Sequence, residues 1–137
     1  MDHQYRGWAV LFYNPTHTDR NLGELSQKDV VMMARAMRGS GFTVKIYQDL
    51  TAASIQNTLQ SYSIADHSSR DCFLVAFLSH GTEDGIGRTI IATRDGYVNF
   101  EDAKQTFLGR KCPSLAGKPK IFFHLVGPTS RVKLHVQ

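Results

Sequence analysis

Apolar residues along this chain gather into four short runs, separated by stretches in which they recur every three or four positions. The first run, Gly7-Trp8-Ala9-Val10-Leu11-Phe12-Tyr13, stops at Asn14-Pro15, a turn signal. In the second, Phe42, Val44 and Ile46 alternate with polar residues. The third, Cys72 to Leu78, is seven consecutive uncharged and mostly apolar residues, and the fourth opens at Ile121-Phe122-Phe123. None approaches the roughly twenty apolar residues of a membrane helix. An unbroken run of this length predicts a strand covered on both faces, as in a parallel sheet.

The segments between the runs carry helical spacing. Val30, Met33, Ala34 and Met37 define one helix, with Ser26 and Asp29 as a capping pair at its start. Gly39-Ser40-Gly41 ends it. These glycines lead from a helix into a strand, the reverse of a dinucleotide-binding turn, and the methionine stripe is core filler. Asp49-Leu50-Thr51 starts a second helix with Ile55, Leu59 and Tyr62 on one face, and a third runs from about Asn99 through Phe107. Residues 89–92 and 96–99 predict a hairpin laid over the end of the sheet. Strands alternating with helices imply an α/β fold: a three-layer α/β/α sandwich around a mostly parallel sheet.

With 137 residues, the chain is long enough for one domain with a true core. Its 42% hydrophobic and 20% charged residues are those of an ordinary globular protein, and the first residues lack the plan of a signal peptide, so cytoplasmic residence is expected. The net charge of +4 hides an asymmetry. All 12 acidic residues lie within residues 1–102 beside 9 basic ones (−3), whereas residues 103–137 hold 7 basic residues and no acidic one (+7). A basic end attracts acidic partners or nucleic acid. Here the charges are broken up by Pro113, Pro119 and apolar runs and form no aromatic-interleaved patch, so a solvated end or a partner-facing surface is the preferred reading. The two cysteines, Cys72 and Cys112, make neither a disulfide framework nor a metal spacing, and the six histidines are scattered. No cofactor or metal is expected.

The candidate chemistry sits where the third run stops, at Ser79-His80-Gly81. In open α/β sheets the crevice at the carboxyl ends of the strands is where ligands and reacting groups collect. Taken alone, a histidine there is as readily a satisfied polar residue at a strand end.

Several segments together change that balance. Asp49-Leu50-Thr51, Asp66-His67-Ser68, Arg70-Asp71-Cys72-Phe73, Leu78-Ser79-His80-Gly81 and the stretch from Lys111-Cys112-Pro113 to Lys118-Pro119-Lys120 resemble, in order, the large subunit of caspases. The resemblance covers roughly residues 5–123 and is tightest from 42 onward. It implies a cysteine endopeptidase fold that cuts after aspartate in apoptotic or inflammatory signalling. His80 then matches the catalytic histidine, which protonates the leaving amine, and Gly81 supplies a backbone N–H to the oxyanion hole. Arg20 resembles the arginine that binds the substrate aspartate, and Thr18 would orient the histidine through its carbonyl. Peptides with aspartate at the cleavage site, other caspase chains, and their adaptors or inhibitors are the implied partners.

The resemblance stops at Phe123, which divides a large-subunit-like domain (1–123) from a divergent basic tail (124–137). Where the family continues Gln-Ala-Cys-Arg-Gly, this chain has His124-Leu125-Val126-Gly127-Pro128-Thr129-Ser130. Leu125 stands in place of the pocket glutamine and Gly127 in place of the nucleophilic cysteine. The small subunit's strands are absent, so the fourth strand is expected to leave an open sheet edge, unless Val132, Leu134 and Val136, alternating with Lys133 and His135, pair onto it. The expectation is a caspase-like chain that does not cleave peptides alone and acts by associating with active caspases. Two alternatives stay open: a residual protease using Ser130 or Thr129 with His80, and a basic interaction module without catalysis.

Overall fold

The chain's computed structural model describes residues 6–15, 27–83, 85–108, 111–126 and 131–137. Strand β1 (Gly7–Asn14) leads to helix α1 (Gln27–Gly39), β2 (Phe42–Gln48), α2 (Ala52–Ser63) and β3 (Cys72–Ser79). Three short strands follow, β4 (Gly81–Glu83), β5 (Thr89–Ala92) and β6 (Tyr97–Asn99), then α3 (Phe100–Gln105). A 3-10 turn at Pro113–Leu115 feeds β7 (Lys120–Val126), and β8 (Arg131–Val136) ends the chain. The main sheet runs β2-β1-β3-β7-β8, and β4-β5-β6 form a second, antiparallel sheet.

β1 pairs parallel with both β2 and β3, and β3 pairs parallel with β7. Because strand residues alternate between faces, β1 and β3 feed two cores. Ala9, Leu11 and Tyr13 with Leu74, Ala76 and Leu78 pack against Val30, Ala34 and Met37 of α1. Val10 and Phe12 with Phe73, Val75 and Phe77 meet Ile55 and Leu59 of α2, Ala103 of α3, and Ile91 and Val98 of the small sheet. Ring contacts bind this second core, with Phe12 stacked on Phe77 at 5.3 Å and Phe73 tilted against Phe107 at 4.7 Å between centroids. The expected three-layer arrangement is therefore present.

Local chemistry explains the element ends. Thr51 caps α2 by accepting the Ser54 N–H at 3.1 Å, and Asp95, from the β5–β6 turn, accepts the Ala52 N–H at 2.9 Å. Asn99 caps α3 by accepting from Asp102 N–H at 3.1 Å. At Gly7 an added Cβ would lie 1.9 Å from the Cys72 carbonyl oxygen, so only glycine lets β1 start so close to β3.

One expected boundary needs correction: helix α3 ends at Gln105, and Phe107 reaches the core from the turn that follows. The alternating second run is strand β2, with Phe42 and Val44 partly buried and Ile46 43% exposed on the sheet edge. Of the two outcomes open for the edge of β7, the pairing one is found: the alternating tail folds back antiparallel with Phe123 opposite Leu134 and Ile121 opposite Val136. β7 itself runs three residues past Phe123. Ser26, the expected cap of α1, lies outside the described residues.

His67 is fully buried against Phe73, and its Nε2–H donates to the Tyr62 carbonyl at 2.7 Å. Nδ1 is thus the bare acceptor nitrogen, and among the described residues it has no hydrogen-bond partner. Burial holds its pKa below the ordinary histidine value, outweighing the Tyr62 carbonyl, which favours the cation.

Truncating the ring at the centre of the second core, Phe77→Ala, should cost about 3–5 kcal/mol, against about 1 kcal/mol for the cap variant Thr51→Ala, both read from urea unfolding. Since the unfolded chain takes up the His67 proton at a higher pH than the folded one, that histidine's contribution is complete above about pH 6.5 and declines below it. His67→Gln, which can still donate to Tyr62, should flatten the fall in unfolding midpoint between pH 7 and 5; superimposable profiles would reject the assignment.

Candidate functional site at the carboxyl end of the sheet

Parallel pairing in register brings strand ends level. Asn14 ends β1 directly opposite Ser79, and Leu78 pairs with Leu125 of β7. The next residue, His80, is buried with 4% exposure. Its own carbonyl accepts the Ala92 N–H at 2.8 Å. The Ser79 hydroxyl lies between the His80 carbonyl, 3.1 Å away, and the Ala92 carbonyl, with which it makes a short contact. That Ala92 oxygen also accepts from the Asn14 amide at 3.1 Å. Gly81 then opens β4, opposite Ile91. The backbone is therefore fixed on both sides of the imidazole.

A second histidine completes this corner. His124 is fully buried on β7, and its Nε2 lies 3.1 Å from the Ser79 carbonyl oxygen. A carbonyl only accepts, so this nitrogen carries the proton. The ring lies directly against Gly81, where an added Cβ would be 2.2 Å from His124 Cε1 and 2.9 Å from the Ile90 carbonyl oxygen. On its other side it meets Phe100, at 6.1 Å between centroids. In the sequence His124 is only the first residue of the divergent tail. The signal available was a histidine in the apolar register of Phe122, facing the same core.

An imidazole at a strand end can accept and return a proton near neutrality. Covalent peptide chemistry of the cysteine type also needs a thiolate beside it. Cys72 opens β3 and so stands roughly 23 Å from Ser79, at about 3.3 Å per strand residue. Its thiol, buried beside the Arg6 carbonyl, is raised in pKa chiefly by burial. Cys112 is buried in the second core, in the loop that feeds the amino end of β7, and burial raises its thiol as well. The remaining sequence candidates, Thr18, Arg20, Gly127, Thr129 and Ser130, lie outside the described residues. Among the described residues no group of three or more His, Cys, Asp or Glu could hold a metal ion, and no helix is long and apolar enough to cross a membrane.

Comparison with known proteins shows the family. A family-wide sequence profile described as "Caspase domain" matches residues 6–124. The chain is 36% identical to caspase-6 of Gallus gallus over 129 residues, which is 89% of this chain and 40% of that protein. It is 34% identical to caspase-1 of Spodoptera frugiperda over 128 residues, 90% of this chain and 40% of the relative. The crystal structure of that insect caspase superposes with a TM-score of 0.80 at 29% identity, covering 91% of this chain and 49% of the other. The chain thus spans less than half the length of the curated relatives it matches, and the part matched by the profile takes in β1 through the middle of β7. This chain belongs to the caspase family.

Proposed function

We propose that this chain carries the histidine half of a caspase-type site, does not hydrolyse peptides by itself, and acts by associating with complete caspase chains, in the cytoplasm. The observation that supports this reading most directly is the position of its thiols. The chain has two cysteines, one at the far end of β3 from His80 and one in the loop before β7. In this reading His80 would transfer the proton and the Gly81 N–H would face the oxyanion, which their position at the carboxyl end of β3 supports. The sequence supplies Gly127, in a segment outside the described residues, where the family carries its nucleophile. A parallel sheet cannot bring a residue from one end of a strand to the other without unpairing it, so Cys72 is no substitute.

Association with complete caspases follows from what the chain shares with them. Its sheet and helical layers superpose on those of the insect caspase over 91% of its own length. In this reading the substrate class, peptides cut after aspartate, belongs to the assembled partner, and Arg20 would contribute to recognition only within such an assembly.

The purified chain should give no cleavage of an aspartate-ending fluorogenic tetrapeptide, and should change the rate of a processed caspase when mixed at equal concentration. Aldehyde-sensitive turnover by the chain alone would overturn the first half; an unchanged rate and no co-migration would overturn the second. In the folded protein both thiols should resist iodoacetamide at pH 7.5 and react only on unfolding, because burial raises their pKa and blocks access. Rapid labelling of either would reopen the search for a nucleophile.

A further inference from the structure

The imidazole of His124 occupies a place that an aliphatic side chain would fill more cheaply. Its neighbour on the same face, Phe122, is an ordinary core residue, and burying a ring nitrogen costs free energy unless it is hydrogen-bonded. What the ring provides is a donor at a defined point. The last paired position between β3 and β7 is Leu78 opposite Leu125, so the backbone ladder stops before Ser79. His124 Nε2 then donates to the Ser79 carbonyl at 3.1 Å, extending the β3–β7 connection by one bond through a side chain. The same ring bears on Gly81, so it touches the residues immediately before and after His80.

We propose that His124 is a positioning residue for His80: it sets the backbone of the Ser79-His80-Gly81 turn, and through it the aim of the His80 imidazole and of the Gly81 N–H. This rests on the caspase-type reading of His80 for its functional meaning, while the geometry it asserts stands apart from that reading. It also explains why position 81 is glycine in this chain. Any β-carbon there would meet both the His124 ring and the Ile90 carbonyl.

The test uses the full chain, isotope-labelled, without substrate or partner, and follows the Gly81 amide and His80 ring resonances by NMR at one fixed pH. His124→Leu fills the space without a donor; His124→Gln restores one. The leucine variant should displace both resonances by several linewidths, and the glutamine variant should return both toward wild type. If the leucine variant lowers the unfolding midpoint yet leaves both resonances unchanged, His124 is a core residue only and the proposal is wrong. If that variant does not fold, the wild-type ring decides. An Nε2–H tautomer with a slowly exchanging proton supports the bond to Ser79, and an Nδ1–H tautomer overturns it. As a further check, Gly81→Ala should destabilise the His124→Ala background less than the wild type, since the Ile90 clash is common to both and only the ring contact differs; equal losses would count against the contact. None of these readouts depends on peptidase activity or on a caspase partner, so a failure of the functional reading and a failure of this one are separable.

Discussion

The structure depends on β3 being covered on both faces while paired on both edges. A strand in that position has no solvent to satisfy its backbone, so every N–H and C=O along it must find a partner in β1 or β7, and the register is fixed by that requirement. Fixing the register fixes where the strands stop. Asn14 comes level with Ser79, and the polar groups left over at that level must be satisfied by side chains. The Ala92 carbonyl takes both the Asn14 amide and a contact from the Ser79 hydroxyl, and the His80 carbonyl takes the Ala92 amide. The candidate site is thus built from the same bonds that close the end of the sheet, and the turn carrying His80 has little freedom to move independently of the fold.

Strand polarity then separates functions. With β1, β3 and β7 parallel, everything at their amino ends, including Cys72 and the Arg6 carbonyl beside it, lies at the opposite end of the sheet from His80. That end has its own chemistry. The Arg70 guanidinium lies 4.9 Å from the Trp8 ring centroid and donates to the Thr43 hydroxyl at 3.2 Å, tying the loop before β3 to β1 and β2. Such contacts stabilise the entry of the strands and leave the carboxyl ends for reacting groups.

The basic tail has a structural role that charge alone did not suggest. β8 pairs with β7 over six positions, and Gln137 exchanges both backbone hydrogen bonds with Lys120 at 2.9 Å. The strand therefore covers the edge that β7 would otherwise expose. Lys120, itself buried, directs its ammonium to the Leu115 and Lys118 carbonyls at 3.1 and 3.0 Å. At least part of the positive charge in this region therefore caps backbone carbonyls within the fold and is unavailable to an outside partner.

Much of this was legible in the sequence, for local reasons. Short unbroken apolar runs suit strands with two buried faces, the spacing of Val30, Ala34 and Met37 suits one helical stripe, and Thr51 and Asn99 are residues whose side chains cap helices. The motifs around His80 were equally readable, because they are contiguous. What the sequence by itself could not determine was which distant groups meet. Asp95 reaching the first turn of α2, Asn14 reaching the Ala92 carbonyl that Ser79 also contacts, and His124 donating to the Ser79 carbonyl are contacts across 43, 78 and 45 residues of chain. The tail's five alternating residues were too few to fix a strand until β7 offered its open edge. Periodicity determined the elements, and contiguous motifs carried the resemblance to the family; only the parallel register, set by backbone bonding across the whole sheet, decided that two histidines 44 positions apart would meet at one corner.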